Sequence, residues 1–431
     1  MRILLTGANG FIGSHLLAGL QARGHQVVAA VRDPEALRGR FPKTTAIACD
    51  FNRDVRPEAW LARLAGIDAV VNCAGVLHGG RGQVMSRIHA DAPVALFDAC
   101  VAAGVRKVIQ ISAVSALPGV TTAYARTKRR ADEHLQSAPL AGTVLRPSLI
   151  YGPTSYGGMT TLRSLAAAPL VVPLVGDGSA SFRPMHVDDL VETVHRVLHA
   201  DRHAGQILEP VGPDRLSMRD IVAKIRRWLG LTPARFVMVP VPVLKITARI
   251  ADMVGGGPMG SASLAQLLAG NAGSQPDGHF AAAIGFQPRA MDEALACQPA
   301  GTQDLWHARL ALMRPAVRTV LALLWLLSGI LGWFAPPDAW RELSATLARL
   351  DIPAALLANA FCALDVVVGV LILLRWRPAL LAALQAIVVA GYTVVLSALV
   401  PDLWLHPFGP LLKNLPILTL IAVWAVLERE R

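Results

Sequence analysis

The sequence is poor in charge, in aromatic rings and in cysteine pairs. Charged residues make up 16% and aromatics 6% of its 431 residues, against about 25% charged in an average soluble domain. With 53% apolar residues and a mean hydropathy of +0.45, this excludes a disordered, collagen-like or coiled-coil chain and argues against an all-soluble one. The five cysteines (Cys49, Cys73, Cys100, Cys297, Cys362) are odd in number and without a CxxC pair. They form no disulfide framework and no zinc site, and read as small buried thiols in a reducing compartment. Basic residues exceed acidic ones to give a net charge of +11, yet basic runs are short (Lys128-Arg129-Arg130, Arg226-Arg227) and lack interleaved aromatics. Nucleic acid is therefore not an expected partner, and an anionic cofactor or membrane surface is. No charged segment followed by a long apolar core opens the sequence, so no signal peptide is expected and the N-terminal part is expected in the cytosol. Internal repeats and low-complexity runs are absent too.

Charge is also unevenly spread. Residues 1–310 hold 32 basic and 23 acidic side chains, whereas 311–431 hold nine and seven. The last third contains four apolar stretches, about 317–336, 354–374, 378–400 and 411–427, interrupted only by Asp365 and by Lys413 near the start of the fourth. About 20 apolar residues cross the hydrocarbon of a bilayer, so three stretches are long enough and the fourth is marginal. The expectation is four spans, with buried soluble helices as the alternative. The positive-inside rule fits cytosolic placement of Arg309, Arg314, Arg318, Arg375, Arg377, Arg429 and Arg431, against Arg341, Arg349 and Lys413 outside, with both termini in the cytosol. Trp333, Trp340, Trp376 and Trp404 lie near span ends, as an interfacial belt requires. Asp365, an acid within a span, should face the bundle interior with Asn359, Tyr392 or Asn414 as partner, in a structural role or in proton or quinone chemistry.

The start of the chain reads differently. Arg2-Ile-Leu-Leu, then Thr6-Gly-Ala-Asn-Gly-Phe-Ile-Gly13, then an apolar helical pattern through Leu20 is a strand, a glycine turn and a helix. Gly7 permits the tight turn, Gly10 lets the backbone approach a pyrophosphate and Gly13 allows close helix–sheet packing, so this is a dinucleotide-binding unit. Candidate cofactor contacts are Thr6, Gly7, Asn9, Gly10, Phe11, Ile12 and Gly13. A second strand, Gln26–Val31, ends in Arg32-Asp33. A cation there favours a ribose 2′-phosphate, so Arg32 points to NADP, with Asp33 keeping NAD as the alternative. Asp50 and Phe51 close a third strand near the adenine, and Asn72-Cys-Ala74-Gly75 follows a fourth beside the cofactor. Val108–Ser112 is the fifth. Tyr124 and Lys128, four residues apart, share one helix face. An ammonium nearby lowers a phenol pKa from about 10, which suits Tyr124 to proton exchange with a carbonyl or hydroxyl.

Together, Thr6–Gly13, Asn72–Gly75, Tyr124/Lys128, Leu145–Pro153 (LRPSLIYGP) and Pro184–Leu190 (PMHVDDL) resemble a short-chain dehydrogenase/reductase of the extended or atypical kind, over roughly residues 1–300. Such proteins include nucleotide-sugar epimerases and dehydratases and the nucleotide-binding accessory subunit of respiratory complex I. The C-terminal spans, with His406–Pro416 (HPFGPLLKNLP), resemble the DoxX-like four-helix membrane domain over 313–431. The resemblance implies an α/β doubly wound Rossmann sheet with a small lid, followed by an all-α bundle. The expected domains are 1–298, with substrate and lid parts from about 150, a linker at 299–313, and 314–431. It implies proton transfer by Tyr124 and Lys128, with Pro147 as a further cofactor-binding residue. The chain departs from the family at Ala113, where a Ser or Thr hydroxyl is usual; Ser112 or Ser115 is the replacement, and Ser112 is taken as the third catalytic candidate. Arg146 either orients substrate or forms a structural ion pair. His186 with Asp188 and Asp189 reads as a helix N-terminus rather than a metal or catalytic pair. Tyr151 and Gly152 shape the nicotinamide pocket or a turn. Residues 241–254 lie either on the membrane surface or inside the lid. The function implied is a membrane-anchored NAD(P)(H)-dependent oxidoreductase acting on a lipophilic carbonyl or hydroxyl. The alternative is a dinucleotide-binding assembly or sensor protein in a membrane complex.

Overall fold

The computed structural model describes residues 1–76, 84–154, 157–253, 260–336, 354–405, 407 and 409–428. Trp340, Arg341, Arg349, His406, Arg429 and Arg431 lie outside the described residues, as does Val254. The chain divides into two compact units, Met1–Leu305 and Trp306–Arg431.

In the first unit, the short apolar runs become strands β1 (Arg2–Thr6), β2 (Gln26–Val31), β3 (Thr45–Ala48), β4 (Ala69–Asn72), β5 (Lys107–Ile111) and β6 (Ala141–Leu145). With Ile207–Leu208 they form one seven-stranded sheet, in the order Ile207–Leu208, β6, β5, β4, β1, β2, β3, with every pairing parallel. Strands buried on both faces need helices on both sides, and α1 (Phe11–Ala22), α2 (Pro34–Arg40), α3 (Glu58–Leu61), α4 (Ala92–Ala103) and α5 (Ala123–Ser137) supply them with the helix Val187–His199. One core sets Ile3, Leu5 and Val71 against Leu16, Leu17 and Val194. The other sets Leu4, Val70 and Val108 against Leu96, Phe97 and Leu135. Strand order reverses between β1 and β4, and the crevice outside the carboxyl ends of such strands is where ligands bind in open α/β sheets.

The lid pairs Val171–Val175 with Arg235–Val239 in parallel. The helix Val241–Met253 is largely uncovered: Val243 and Ile246 are exposed while Ala248 is buried. Of the cysteines, Cys49, Cys100 and Cys362 are buried, Cys73 is half-buried and Cys297 is exposed, all as free thiols. The reading of five buried thiols therefore holds for three.

In the second unit three helices are long and apolar enough to cross a membrane: Thr302–Trp333, 355–373 within Ala354–Leu373, and Pro378–Leu399. The fourth, Asn414–Leu427, is apolar but has 14 residues, which at about 1.5 Å per residue is shorter than a hydrocarbon core. The segment expected as a linker, 299–313, is helical from Thr302 onward, and Pro315 sits inside that helix. Gly329 lies so close to the Cys362 carbonyl oxygen and the Asp365 Cβ that no side chain fits there, the close approach that small residues allow between membrane helices. Trp325 Nε1 donates to Gln385 Oε1 at 2.9 Å in the interior. Asp365 is buried as expected, but it accepts from Ser328 Oγ at 2.8 Å rather than bonding Asn359, Tyr392 or Asn414. Asn414 instead donates to Thr393 at 2.9 Å. At the end of the fourth helix, Glu428 meets Arg314 at 3.3 Å, Arg318 at 2.5 Å and Arg375 at 3.3 Å. The end of the fourth helix thus meets the Arg314–Arg318 turn of the first and the end of the second.

Candidate active site

At the carboxyl end of β1 the chain turns at Gly7, whose φ is +66°. A Cβ there would lie 2.8 Å from the Cys73 carbonyl oxygen and 2.9 Å from the Ala74 backbone, so glycine is required both for the conformation and for the space. A Cβ on Gly13 would run into the Gly7 carbonyl. Gly10 is different: its only close neighbour is the Gly7 oxygen at 3.3 Å, and its own amide donates to that oxygen at 2.9 Å. Its outer face is open, and no side chain caps the helix that starts at Phe11. An uncapped helix N-terminus with an open glycine cradle fits a dinucleotide pyrophosphate. Thr6, Gly7, Asn9, Gly10, Phe11, Ile12, Gly13, Ala74 and Gly75 all belong to this turn or the loop packed on it.

A buried polar row underlies the turn. The register places Thr6 beside Asn72 and Asn72 beside Gln110. Thr6 Oγ1 donates to Asn72 Oδ1 at 2.5 Å, and Asn72 Nδ2 donates to Gln110 Oε1 at 2.6 Å. The Cys73 amide donates back to Thr6 Oγ1 at 3.2 Å. All three side chains are buried. Such a row fixes how the strand ends sit relative to one another. Gln110 had no signal beyond its place in an apolar strand.

After β2, Arg32 is exposed, and Asp33 is used locally: its Oδ1 accepts from the Glu35 and Ala36 amides at 3.1 and 3.0 Å, capping α2. Arg40, at the end of α2, reaches Asn9 Oδ1 at 3.3 Å, which brings a second guanidinium to the turn. Asp50 is half-buried and accepts from Asn52, and Phe51 packs edge-on against Trp60 with centroids 5.4 Å apart.

Tyr124 and Lys128 share the inner face of α5. Lys128 is buried and its ammonium donates to the Ile111 carbonyl at 3.0 Å; a Cβ on Gly75 would be 3.1 Å from its Nζ. The expected lowering of the phenol does not occur. Burial, with the nearby Asp132 carboxylate, pushes Tyr124 up to about 12, while burial lowers Lys128. Tyr124 is therefore protonated at neutral pH. Its ring packs edge-on against His89, centroids 5.1 Å apart. His89 is buried in a single π-turn, Arg87–Asp91, an element frequent at functional sites. The Val76 amide donates to His89 Nε2 at 3.0 Å, so the ring proton is on Nδ1, which donates to Thr127 Oγ1 at 3.1 Å. Burial, aided by the Lys128 charge, holds His89 neutral, with its pKa down to about 3. Sequence reasoning missed His89, which couples the loop after β4 to α5.

Ser112 does not join this group. Its hydroxyl donates to Asp132 Oδ2 at 2.8 Å, the same oxygen that takes Arg146 Nε at 2.9 Å, and all three side chains are buried. The Ser112 hydrogen is thus given to a buried carboxylate rather than aimed at Tyr124. Arg146 is the structural ion pair, one of its two readings. Pro147 is buried, and its carbonyl accepts from Val114 at 3.2 Å. His186 caps the helix Val187–His199 by accepting from the Asp188 amide at 3.3 Å, as read from sequence. Tyr151 is buried against His186, centroids 5.2 Å apart.

The profile of the NAD dependent epimerase/dehydratase family matches residues 3–208, and that of the DoxX-like family matches 322–422. A 3-diazoavenalumate denitrifying reductase of a Streptomyces species is 32% identical over 224 residues, covering 44% of this chain and 70% of that protein. The chain belongs to the NAD dependent epimerase/dehydratase family. A ceramide reductase of Caulobacter vibrioides is 27% identical over 254 residues, 58% of this chain and 77% of that protein. These named reductases place this family member among the oxidoreductases. The fold is shared with a dTDP-glucose 4,6-dehydratase from Streptomyces venezuelae, at 20% identity and a TM-score of 0.54 over 72% of this chain and 97% of that one. Fused to its epimerase/dehydratase part, the family member carries a DoxX-like helical region with apolar helices suited to a membrane.

Proposed function

We propose that this chain is a membrane-anchored, NADPH-dependent carbonyl reductase for lipophilic substrates, with Tyr124 as the proton donor. The observation that carries the reading is Tyr124 packed edge-on against His89, on the helix that also carries buried Lys128, at the carboxyl ends of a dinucleotide-type sheet. Gly7–Gly13 would hold the pyrophosphate of NADPH, which would supply the hydride when bound. The hydroxyl of Tyr124 gives its proton to the carbonyl oxygen as charge develops there. Lys128, anchored on Ile111 and next to Gly75, would hold the ribose of the cofactor. Exposed Arg32, with Arg40 beside Asn9, supports a 2′-phosphate and hence NADP over NAD, whereas Asp33 is occupied as a helix cap. Asp50, Phe51, Ala74 and Pro147 form the remaining cofactor surround.

The lipophilic class rests on three supports. The second unit carries membrane-type helices, the lid exposes Leu170, Met238, Val243 and Ile246, and one relative is named as a ceramide reductase. Three helices of crossing length, with the apolar 411–427 stretch containing the 14-residue helix as a fourth crossing, would place the Rossmann domain and both termini on the cytoplasmic side of the cell membrane. Return of Glu428 to Arg314, Arg318 and Arg375 supports an even number of crossings. The boundary between the two parts falls within 299–313, where the compact units meet at Leu305 and Trp306.

A second reading is favoured by one observation. With Ala113 lacking a hydroxyl and Ser112 bonded to Asp132, the carbonyl has one donor fewer, which suits a dinucleotide-binding assembly or sensor subunit with slow turnover. The test offers NADPH and a panel of long-chain ketones, isoprenoid carbonyls, quinones and nucleotide sugars to the full chain in lipid nanodiscs. Reduction of the lipophilic members supports the proposal. Reduction of nucleotide sugars alone contradicts it, and tight NADPH binding without any reduction selects the second reading.

A further inference from the structure

At the amino ends of β1 and β2, the end of the sheet opposite the glycine turn, three imidazoles converge. His25 immediately precedes β2, and His195 and His199 lie one turn apart at the end of the helix Val187–His199. One ring nitrogen from each lies within 4.8 Å of those of the other two. His25 Nε2 and His195 Nδ1 are 3.2 Å apart, and the ring centroids are separated by 5.4, 5.3 and 4.7 Å.

We propose that His25, His195 and His199 bind one late first-row divalent ion, of the Zn²⁺ class, as a stabilising site. Three imidazoles without a carboxylate or thiolate suit Zn²⁺, Co²⁺, Ni²⁺ or Cu²⁺ and not the hard ions Mg²⁺ or Ca²⁺. Two nitrogens bound at about 2.0–2.1 Å to a tetrahedral ion are about 3.3 Å apart, the separation that His25 and His195 already have. His25 is buried and turns its Nε2 toward His195. Burial and the neighbouring cations lower the pKa of His25 and of His195, so both rings are neutral at physiological pH, the form that coordinates. Of the charged neighbours, Arg23 and Arg196 are paired with Glu192 at 3.0 and 2.7 Å, and the N-terminal ammonium also faces His25. On binding, the His25–His195 hydrogen bond is exchanged for two coordination bonds, and the proton of the donating ring moves to that ring's other nitrogen. No net charge is lost from the protein. Because His199 is exposed, the fourth position opens to water. The ion would tie the start of β2 to the end of the helix Val187–His199, which are distant in sequence.

The test uses the tag-free full chain in detergent, stripped with a chelator and titrated with Co²⁺ and Zn²⁺. One equivalent per chain, a visible ligand-field spectrum for bound Co²⁺ and a raised Tm are expected. His199→Ala, at an exposed position, should fold normally, bind at least about tenfold more weakly and lose the Tm rise. His134→Ala, which removes a histidine paired with Asp98, should keep both. No stoichiometric binding by the wild type, or binding and a Tm rise unchanged in the His195→Ala/His199→Ala double variant, would overturn the proposal.

Discussion

At the scale of single residues, the site rests on groups whose ionisation is set by burial. Tyr124 stands at about 12, so its raised pKa keeps the proton on through the physiological range. Reduction by this chain should accordingly be flat in pH from about 6 to 9 as far as Tyr124 is concerned, a profile that initial rates with saturating NADPH would measure. His89 works in the other direction. Its folded pKa of about 3 lies below the ordinary 6.5, so protonation favours the unfolded chain. The stability it contributes is present above pH 6.5 and is lost as pH falls toward 3. Thermal melts between pH 7 and 4 should show a steeper loss for the wild type than for His89→Gln. The Asp132–Arg146 pair is buried on both sides. Arg146→Met leaves a buried carboxylate with Ser112 as its one remaining hydrogen-bond donor, and should cost about 3–5 kcal/mol in chemical denaturation. The sequence could suggest Ser112 as a catalytic hydroxyl because neighbours in sequence are visible there. Its actual partner, Asp132, is 20 residues away and on another element, and no local pattern announces it.

At the scale of elements, the legible parts are those whose physics is local. Gly7, Gly10 and Gly13 declare a strand, a turn and a helix because their spacing alone fixes the backbone path. The structure then separates them by function. Gly13→Ala drives a Cβ into the Gly7 carbonyl and should displace α1, lowering both Tm and NADPH affinity. Gly10→Ala meets only one oxygen at 3.3 Å and should leave the Tm nearly unchanged while weakening NADPH, which differential scanning and a fluorescence titration would resolve. The row Thr6–Asn72–Gln110 and the clasp of His89 on Val76 and Tyr124 depend on strand register and on a π-turn. They become visible only when the strands are laid side by side. The same holds at 299–313: proline and glycine near its start read as a break between domains, yet helix runs from Thr302 through Pro315.

At the scale of the whole molecule, the shortage of charge divides between two solvents. The first unit buries its apolar strands between helices in water. The second leaves Leu323, Leu331, Ile387 and Val394 exposed on helices with few charges, surface that a bilayer would cover. The chain should therefore stay with membranes through alkaline carbonate washing and leave only with detergent, as fractionation would show. The apolar runs made that division readable. The meeting of Glu428 with Arg314, Arg318 and Arg375 did not follow from them, because it depends on the helices' packing.

The central claim is that Tyr124 transfers a proton on a membrane-bound NADPH reductase. The most direct test compares wild type and Tyr124→Phe for NADPH-dependent reduction of the same lipophilic carbonyl, with NADPH dissociation constants measured on both. A fall in turnover of about 10²–10⁴-fold with NADPH affinity unchanged is the predicted result. Turnover equal to wild type in Tyr124→Phe would contradict it.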